Sequence, residues 1–543
     1  MKPTALFLTF LLLTFNSIIA QKTAFTHQDS LRGTYTPERS WWDLTYYHLS
    51  VKVDIKKKAL SGSNLIQYKV LKPNTKLQIE LQEPLKITKI VQDGTSLKYK
   101  KDGYSYFIEL QKPQEISAIN ELTVFYEGVP QEAVNPPWQG GVTWKKDTNG
   151  NPWIVTTCEG IGASIWWPNK DHPADEPDSM LISITVPNNL MDVSNGRLRN
   201  VVENKDKTKT FNWLVSNPIN NYGVNMNIGD YVHFGEVYKG LKGKLDCDYY
   251  VLRDNLEKAK EHFKEVPRML AAFEYWFGPY PFYEDGYKLV EVPYAGMEHQ
   301  SSVTYGNGFK NGYGSRDVSH TGWGMKFDFI IVHESGHEWF ANNITDADVA
   351  DMWVHEGFTS YSENLFLDYQ FGKDASSEYV IGVRKNIVND RPIIGVYNVN
   401  YEGSGDMYYK GANILHTLRQ IANNDTLWRA VLTGLNTEFY HQTVTSKQVE
   451  DYISKKLNMN LTKFFDQYLR TTKIPKLEIK ESDDGYVYRY VNVVEDFDMP
   501  VRIFFNNKSK WIYPTTEWKF EYLADNFKVD PNFYIECEGL PDN

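Results

Sequence analysis

Cysteine is scarce: Cys158, Cys247 and Cys537 are the only three in 543 residues, so one disulfide at most can form. A disulfide framework is therefore not what holds this chain together, and the three thiols read as small buried apolar residues. Basic runs are missing as well, and 58 Lys and Arg stand against 69 Asp and Glu, a formal charge of −11. That balance excludes nucleic acid and anionic membrane surfaces as partners, because both need a basic footprint. Beyond the first twenty residues no apolar run is long enough to span a bilayer, and neither an internal repeat nor a low-complexity linker occurs. The opening MKPTALFLTFLLLTFNSIIA differs in kind. Lys2 precedes a short apolar core that is broken by Asn16 and Ser17 and ends at Ala20, the pattern of a secretory signal spanning residues 1–20. Export, to a periplasm or beyond the cell, is the expectation.

What is present is aromatic and globular. Aromatics make up 15% of the chain, which favours β-rich packing, and the length calls for several cores. Period-two alternation in "YYHLSVKVDI", "LQIEL" and "LTVFYEG", punctuated by Asp93-Gly94 and Asp102-Gly103, predicts a large β domain over 21–252. Leu256, Ala259, Phe263, Val266, Leu270, Phe273 and Phe277 then recur at helical spacing up to Gly278-Pro279, with Pro267 expected to kink or divide the helix. Further helices are predicted at about 325–342, 355–371, 408–423 and 425–439, and another from Thr445, where Thr445 and Gln448 have capping-box spacing. Helices thus dominate 253–472. After Pro475 alternation returns, with a hairpin at Asp484-Gly485, and 473–543 reads as a small β domain. The fold class is multidomain α+β.

The chemistry concentrates in "IIVHESGHEWFANN". His333 and His337 lie four residues apart, so on a helix their imidazoles share one face and can hold a single Zn²⁺. Glu334 is turned about 100° from His333, where it can face water without ligating the metal. The apolar neighbours Ile330, Ile331, Val332, Trp339 and Phe340 predict a buried helix, and buried imidazoles need partners. Glu356, in "MWVHEGFTSYSENLFLDYQFG" with eighteen residues between it and His337, completes a His₂Glu site. Glu363, two helical turns further on, suits the outer-shell carboxylate that orients a ligating imidazole, and His355 reads as structural.

The stretch from His333 to Glu363 resembles the gluzincin aminopeptidases, the aminopeptidase N family of zinc peptidases that also includes the leukotriene hydrolases. Other segments carry the resemblance further. In "VPYAGMEHQSSVTYG", Gly296-Met297-Glu298-His299 is similar to the family's G-x-M-E-N loop, with His299 in place of asparagine. This implies that Gly296 and Met297 line the substrate and that Glu298 binds its α-ammonium. "TTCEGIGASIWWPNKDHPADEPD" is similar to the T-Q-C-E segment and implies a second amine-facing carboxylate at Glu159; Trp166 and Trp167 read as core. "DMYYKGANILHTL" is similar to the Y-E-K-G element and implies Tyr408 as the oxyanion donor, with Tyr409 where glutamate is usual.

The resemblance implies an N-terminal β saddle, a thermolysin-like, mainly helical catalytic domain and a small C-terminal β-sandwich. It also implies one Zn²⁺ per chain on His333, His337 and Glu356, with Glu334 as general base and Tyr408 as catalytic donor. The expected activity is removal of the first residue from peptides with a free N-terminus. The alternatives are an epoxide hydrolase of the leukotriene hydrolase kind and a zinc-free binding protein on the same fold. Oligomeric state and the preferred N-terminal side chain are not legible.

Overall fold

The computed structural model describes residues 24–505, 508–522 and 527–539; the signal-like residues 1–20 lie outside them. Alternating strands build a β-rich first half. Its largest sheet has eight strands in the order Arg197–Glu203, Thr208–Val215, Ser179–Pro187, Trp42–Asp54, Ala59–Val70, Ile119–Gly128, Lys86–Gln92 and Thr95–Ser96. The long strand Trp42–Asp54 is central, parallel to Ser179–Pro187 and antiparallel to Ala59–Val70. Its inward residues Trp42, Leu44, Tyr47, Leu49 and Val51 join a core with Trp166 and Trp167, both fully buried. A four-stranded sheet carrying Pro152–Thr157 brings the Cys158-Glu159 turn to the edge of this half.

A five-stranded sheet then leads into the helices. Its order is Tyr231–Gly240, Gly243–Leu252, Tyr287–Glu291, Val303–Tyr305 and Gly296–Met297, which puts the Glu298 loop at its edge. The apolar period is divided between helices Leu256–His262 and Glu265–Phe277, one of the two outcomes expected of Pro267, which sits in the first turn of the second, where its missing N–H costs nothing. Trp353–Phe371, Tyr409–Ala422 and Asp425–Glu438 follow, and Ser446–Leu457 carries the capping box at Thr445.

The helix predicted at 325–342 is shorter. Phe327 and Asp328 are extended, Phe329–Gly336 is α-helical, and Phe340 (φ −131°, ψ 89°) and Ala341 (φ 144°) leave helical space. Asp328 stops the helix at its start by accepting from the Ile331 N–H, a cap that periodicity alone does not reveal.

Two sheets close the chain, one of four strands around Lys476–Ser482 and Gly485–Val491 and one of three around Val501–Phe505. They share a continuous core with the helices, and Tyr468 donates to the Tyr534 carbonyl at 2.7 Å across the junction. The polar stretch before Arg39, which has no clear period, forms helices His27–Gly33 and Pro37–Ser40. All three cysteines are free; Cys158 and Cys247 are buried, but Cys537 is exposed, because its strand Glu536–Glu538 is a sheet edge. Among the described residues no helix is long and apolar enough to cross a membrane.

Candidate active site

His333 and His337 project from the buried helix Phe329–Gly336 and its first residue beyond. His333 Nδ1 meets Glu363 Oε1 at 2.7 Å, and Tyr379 OH donates to the other Glu363 oxygen. With Nδ1 as the donor, Nε2 keeps its lone pair. The chain's departure from helical geometry serves His337, whose Nδ1 lies 3.1 Å from the Phe340 carbonyl that this turn swings back towards it. Thr359 supports the same contact, at 3.1 Å from Nδ1 and 3.3 Å from the carbonyl.

Glu356 comes from the neighbouring helix Trp353–Phe371. Its Oε2 lies 3.6 Å from His333 Nε2 and 3.4 Å from His337 Nε2, and it is buried with no hydrogen-bond partner. A tetrahedral zinc with Zn–N bonds of about 2.0–2.1 Å separates its ligands by roughly 3.3 Å, so the three donors fit that ion. Burial alone would discharge these groups. The two histidines nevertheless hold the Glu356 carboxyl below its ordinary range, and Glu356 and Glu363 raise the His333 imidazole well above its own.

Glu334 faces the same space, its pKa pushed up to about 8 by burial, with Glu298 adding to the rise and His333 opposing it. The Glu298 strand passes close above: a Cβ on Gly296 would lie 2.5 Å from Ile330 Cγ2 and 3.0 Å from Glu334 Cγ. Glycine is required there by close approach, not by a turn. Met297 is buried in a small cluster with Val155, Val292 and Tyr294, and Asn342 Nδ2 donates to the Glu298 carbonyl at 2.8 Å. Oxygens of Glu159, Glu298 and Glu356 lie within 4.8 Å of one another. Burial, then Glu298 and Glu356, push Glu159 well above its usual range.

Tyr408 stacks on His333 with ring centroids 5.9 Å apart and shares its hydroxyl environment with Glu356. Tyr409 lines the cavity too, but its acidic neighbour is Glu363. The Lys410-Gly411 pair explains this register. Gly411 lies against Gly357 of the Glu356 helix, and Lys410 Nζ donates to the Thr471 carbonyl at 3.1 Å. His355 turns away, accepting from the Asp346 N–H at 2.7 Å.

The cavity holds about 280 Å³ and is lined by Glu159, Glu298, Glu334 and Glu356, and by the aromatic residues Trp138, Tyr313 and Phe329. No Lys or Arg lines it among the described residues. All the site residues read from the sequence therefore meet in or beside one cavity. Tyr379, Thr359 and the Phe340 carbonyl were not foreseen. Tyr379 and Thr359 could be found only by asking what completes the hydrogen bonds of Glu363 and His337.

A β-rich N-terminal half and a helical middle that carries a His₂Glu centre define a gluzincin-type peptidase. Residues 44–222 match the Peptidase M1 N-terminal domain and residues 261–468 the Peptidase family M1 domain, and the chain belongs to peptidase family M1. It is similar to leukotriene A-4 hydrolase of Xenopus laevis, at 22% identity over 77% of this chain and 68% of that one. It is similar also to leucine aminopeptidase 2 of Vanderwaltozyma polyspora, at 26% identity over 58% of this chain but 47% of that protein. In fold it resembles a mutant M1 zinc metallopeptidase from Deinococcus radiodurans, with TM-score 0.69 and 19% identity over 81% of this chain and 96% of that one. A second structure of that mutant, at TM-score 0.67, is bound to a Tyr-Ser-Ala substrate.

Proposed function

We propose that this protein is a zinc-dependent aminopeptidase that removes the first residue from peptides with a free N-terminus. One observation carries the reading: Glu159 and Glu298 sit within 4.8 Å of Glu356 in a cavity that no Lys or Arg lines among the described residues. Buried anions at that separation repel strongly unless cations balance them. A divalent ion on His333, His337 and Glu356 supplies one balance, and a substrate α-ammonium between Glu159 and Glu298 supplies the other.

When bound, the ion supplies Lewis acidity towards water and the substrate carbonyl. Glu334 takes the proton of the attacking water and hands it to the leaving nitrogen. Burial raises the Glu334 pKa, and the positive charge of a bound ion would lower it, so the loaded site would keep the carboxylate ionised to accept that proton. Tyr408 donates a hydrogen bond to the oxygen on which negative charge develops. Glu159 and Glu298 hold the ammonium and so admit only the first peptide bond to the reacting position. Residues 1–20 are removed on export in this reading.

The test compares a free peptide with its N-acetyl form on the purified protein, before and after chelation and zinc return. Hydrolysis of the free peptide alone, lost on chelation and restored by zinc, is expected. Equal hydrolysis of both forms refutes the amine anchor, and chelator-resistant hydrolysis refutes the metal.

A further inference from the structure

Glu159 sits in a tight turn, with Ile161 N–H donating to its carbonyl at 2.6 Å and Gly160 (φ +67°) and Gly162 (φ +91°) in left-handed geometry. The carbonyl of Gly160, within this turn, accepts from side chains outside it. Two donors from different parts of the chain converge on it. Arg32 Nη2 approaches to 2.7 Å and Asn400 Nδ2 to 3.3 Å. Arg32 belongs to the N-terminal helix His27–Gly33 and Asn400 to the loop that leads towards Tyr408.

These two elements are fastened to each other. A Cβ on Gly33 would lie 2.1 Å from the Asn400 nitrogen and 2.4 Å from that of Val399, so the backbones are in contact. Thr34 Oγ1 donates to the Asn398 carbonyl at 3.1 Å, and the rings of Phe25 and Tyr401 meet edge to face at 5.4 Å. The loop is anchored in turn beside the Glu356 helix, where Asn398 N–H reaches Asp348 Oδ2 at 2.8 Å and Tyr397 OH reaches Asp351 Oδ1 at 2.6 Å. The Gly160 carbonyl is thus one point at which the N-terminal helix, the β-rich half and the helical half meet.

We infer that Arg32 and Asn400 are positioning residues for Glu159, and that the helix His27–Gly33 is a strap that sets the amine-binding carboxylate at its distance from the metal ligands. The inference rests on the aminopeptidase reading. Arg32 acts through the backbone and not by neutralising Glu159, because Asp171 lies beside its guanidinium: a Cβ on Gly162 would meet Asp171 Oδ2 at 2.2 Å and Arg32 Nη2 at 2.8 Å. Buried carboxylates that repel one another keep their spacing only if the backbone is held. A bound ammonium needs both anchors at hydrogen-bond distance, whereas the metal does not touch this turn.

The experiment uses the zinc-loaded enzyme and two inhibitors, leucine hydroxamate and its des-amino analogue, with Arg32→Met, Arg32→Lys and Asn400→Gly. Glycine keeps the left-handed conformation that Asn400 adopts (φ +49°) while removing the donor. Leucine hydroxamate is expected to weaken on the order of tenfold in Arg32→Met and Asn400→Gly, since a small misplacement of a positioning group costs that much or more. The des-amino analogue should bind as it does to the unaltered enzyme, and Arg32→Lys, which can still donate, should recover most of the loss. Equal weakening of both inhibitors would show a general loosening and overturn the inference, as would unchanged binding of both. If the unaltered enzyme itself fails to prefer the amine-bearing compound, the aminopeptidase reading falls first, and the inference with it.

Discussion

Gly411 and Gly357 meet face to face: a Cβ on Gly411 would lie 2.7 Å from the Gly357 Cα. This contact sets the separation of the helices that carry Tyr408 and Glu356. Alanine at 411 would gain about 1 kcal/mol of helix propensity but introduce overpacking worth about 1–3 kcal/mol, so the clash wins. Gly411→Ala is expected to lower both thermal stability and turnover. A variant that melts higher and turns over normally would show that the helices can part without disturbing Tyr408.

Glu363 fixes the His333 ring through the 2.7 Å contact to Nδ1, while Tyr379 holds its other oxygen. Removal of such outer partners lowers metal affinity by roughly 10–100-fold. Glu363→Ala should therefore lose zinc to a competing chelator at correspondingly lower concentration, and Tyr379→Phe should do so less. Unchanged zinc affinity in both would make the carboxylate a packing element only.

Tyr408, stacked on His333, and Tyr409, beside Glu363, are neighbours in different surroundings. Removing one donor to a developing oxyanion costs about 10²–10³ in turnover. Tyr408→Phe is expected to show that loss in kcat with little change in KM, and Tyr409→Phe to leave kcat almost intact. The reverse outcome would move the donor by one residue.

Lys410 is fully buried, and burial lowers its pKa from 10.5 to about 8 despite Asp406. Below pH 8 both states carry the charge and the buried ammonium is a constant cost. Between about pH 8 and 10.5 the unfolded chain holds more protons than the folded one, so this group's contribution to stability rises with pH across that window. The unfolding free energy of the unaltered protein minus that of Lys410→Met should rise there by a few kcal/mol, at about 1.4 kcal/mol per unit of pKa shift. A flat or falling difference in denaturant titrations at pH 7 to 10.5 would contradict the assignment.

Much of the architecture was legible because hydrophobic period is a local property. The strands of the first half, the helix ending at Gly372 and the hairpin at Asp484-Gly485 follow from alternation, helical spacing and turn residues. The error at 325–342 has a local cause as well: Trp339 and Phe340 keep an apolar pattern although the chain has left the helix to bring the Phe340 carbonyl onto His337. The helix His27–Gly33 has little apolar period of its own and was missed, since its contacts are made with residues far along the chain.

The metal donors are named by the sequence because His333 and His337 share a helix face and spacing along one helix is fixed by its pitch. Sequence also supplies Glu334, Glu356, Glu159 and Glu298 through motifs. Only tertiary structure decided that Glu159 from the β-rich half comes within 4.8 Å of Glu298 and Glu356, and that Arg32 and Asn400 meet on one carbonyl. Distances between segments more than a hundred residues apart depend on how whole sheets and helices pack. Side-chain period along one segment carries no record of that packing.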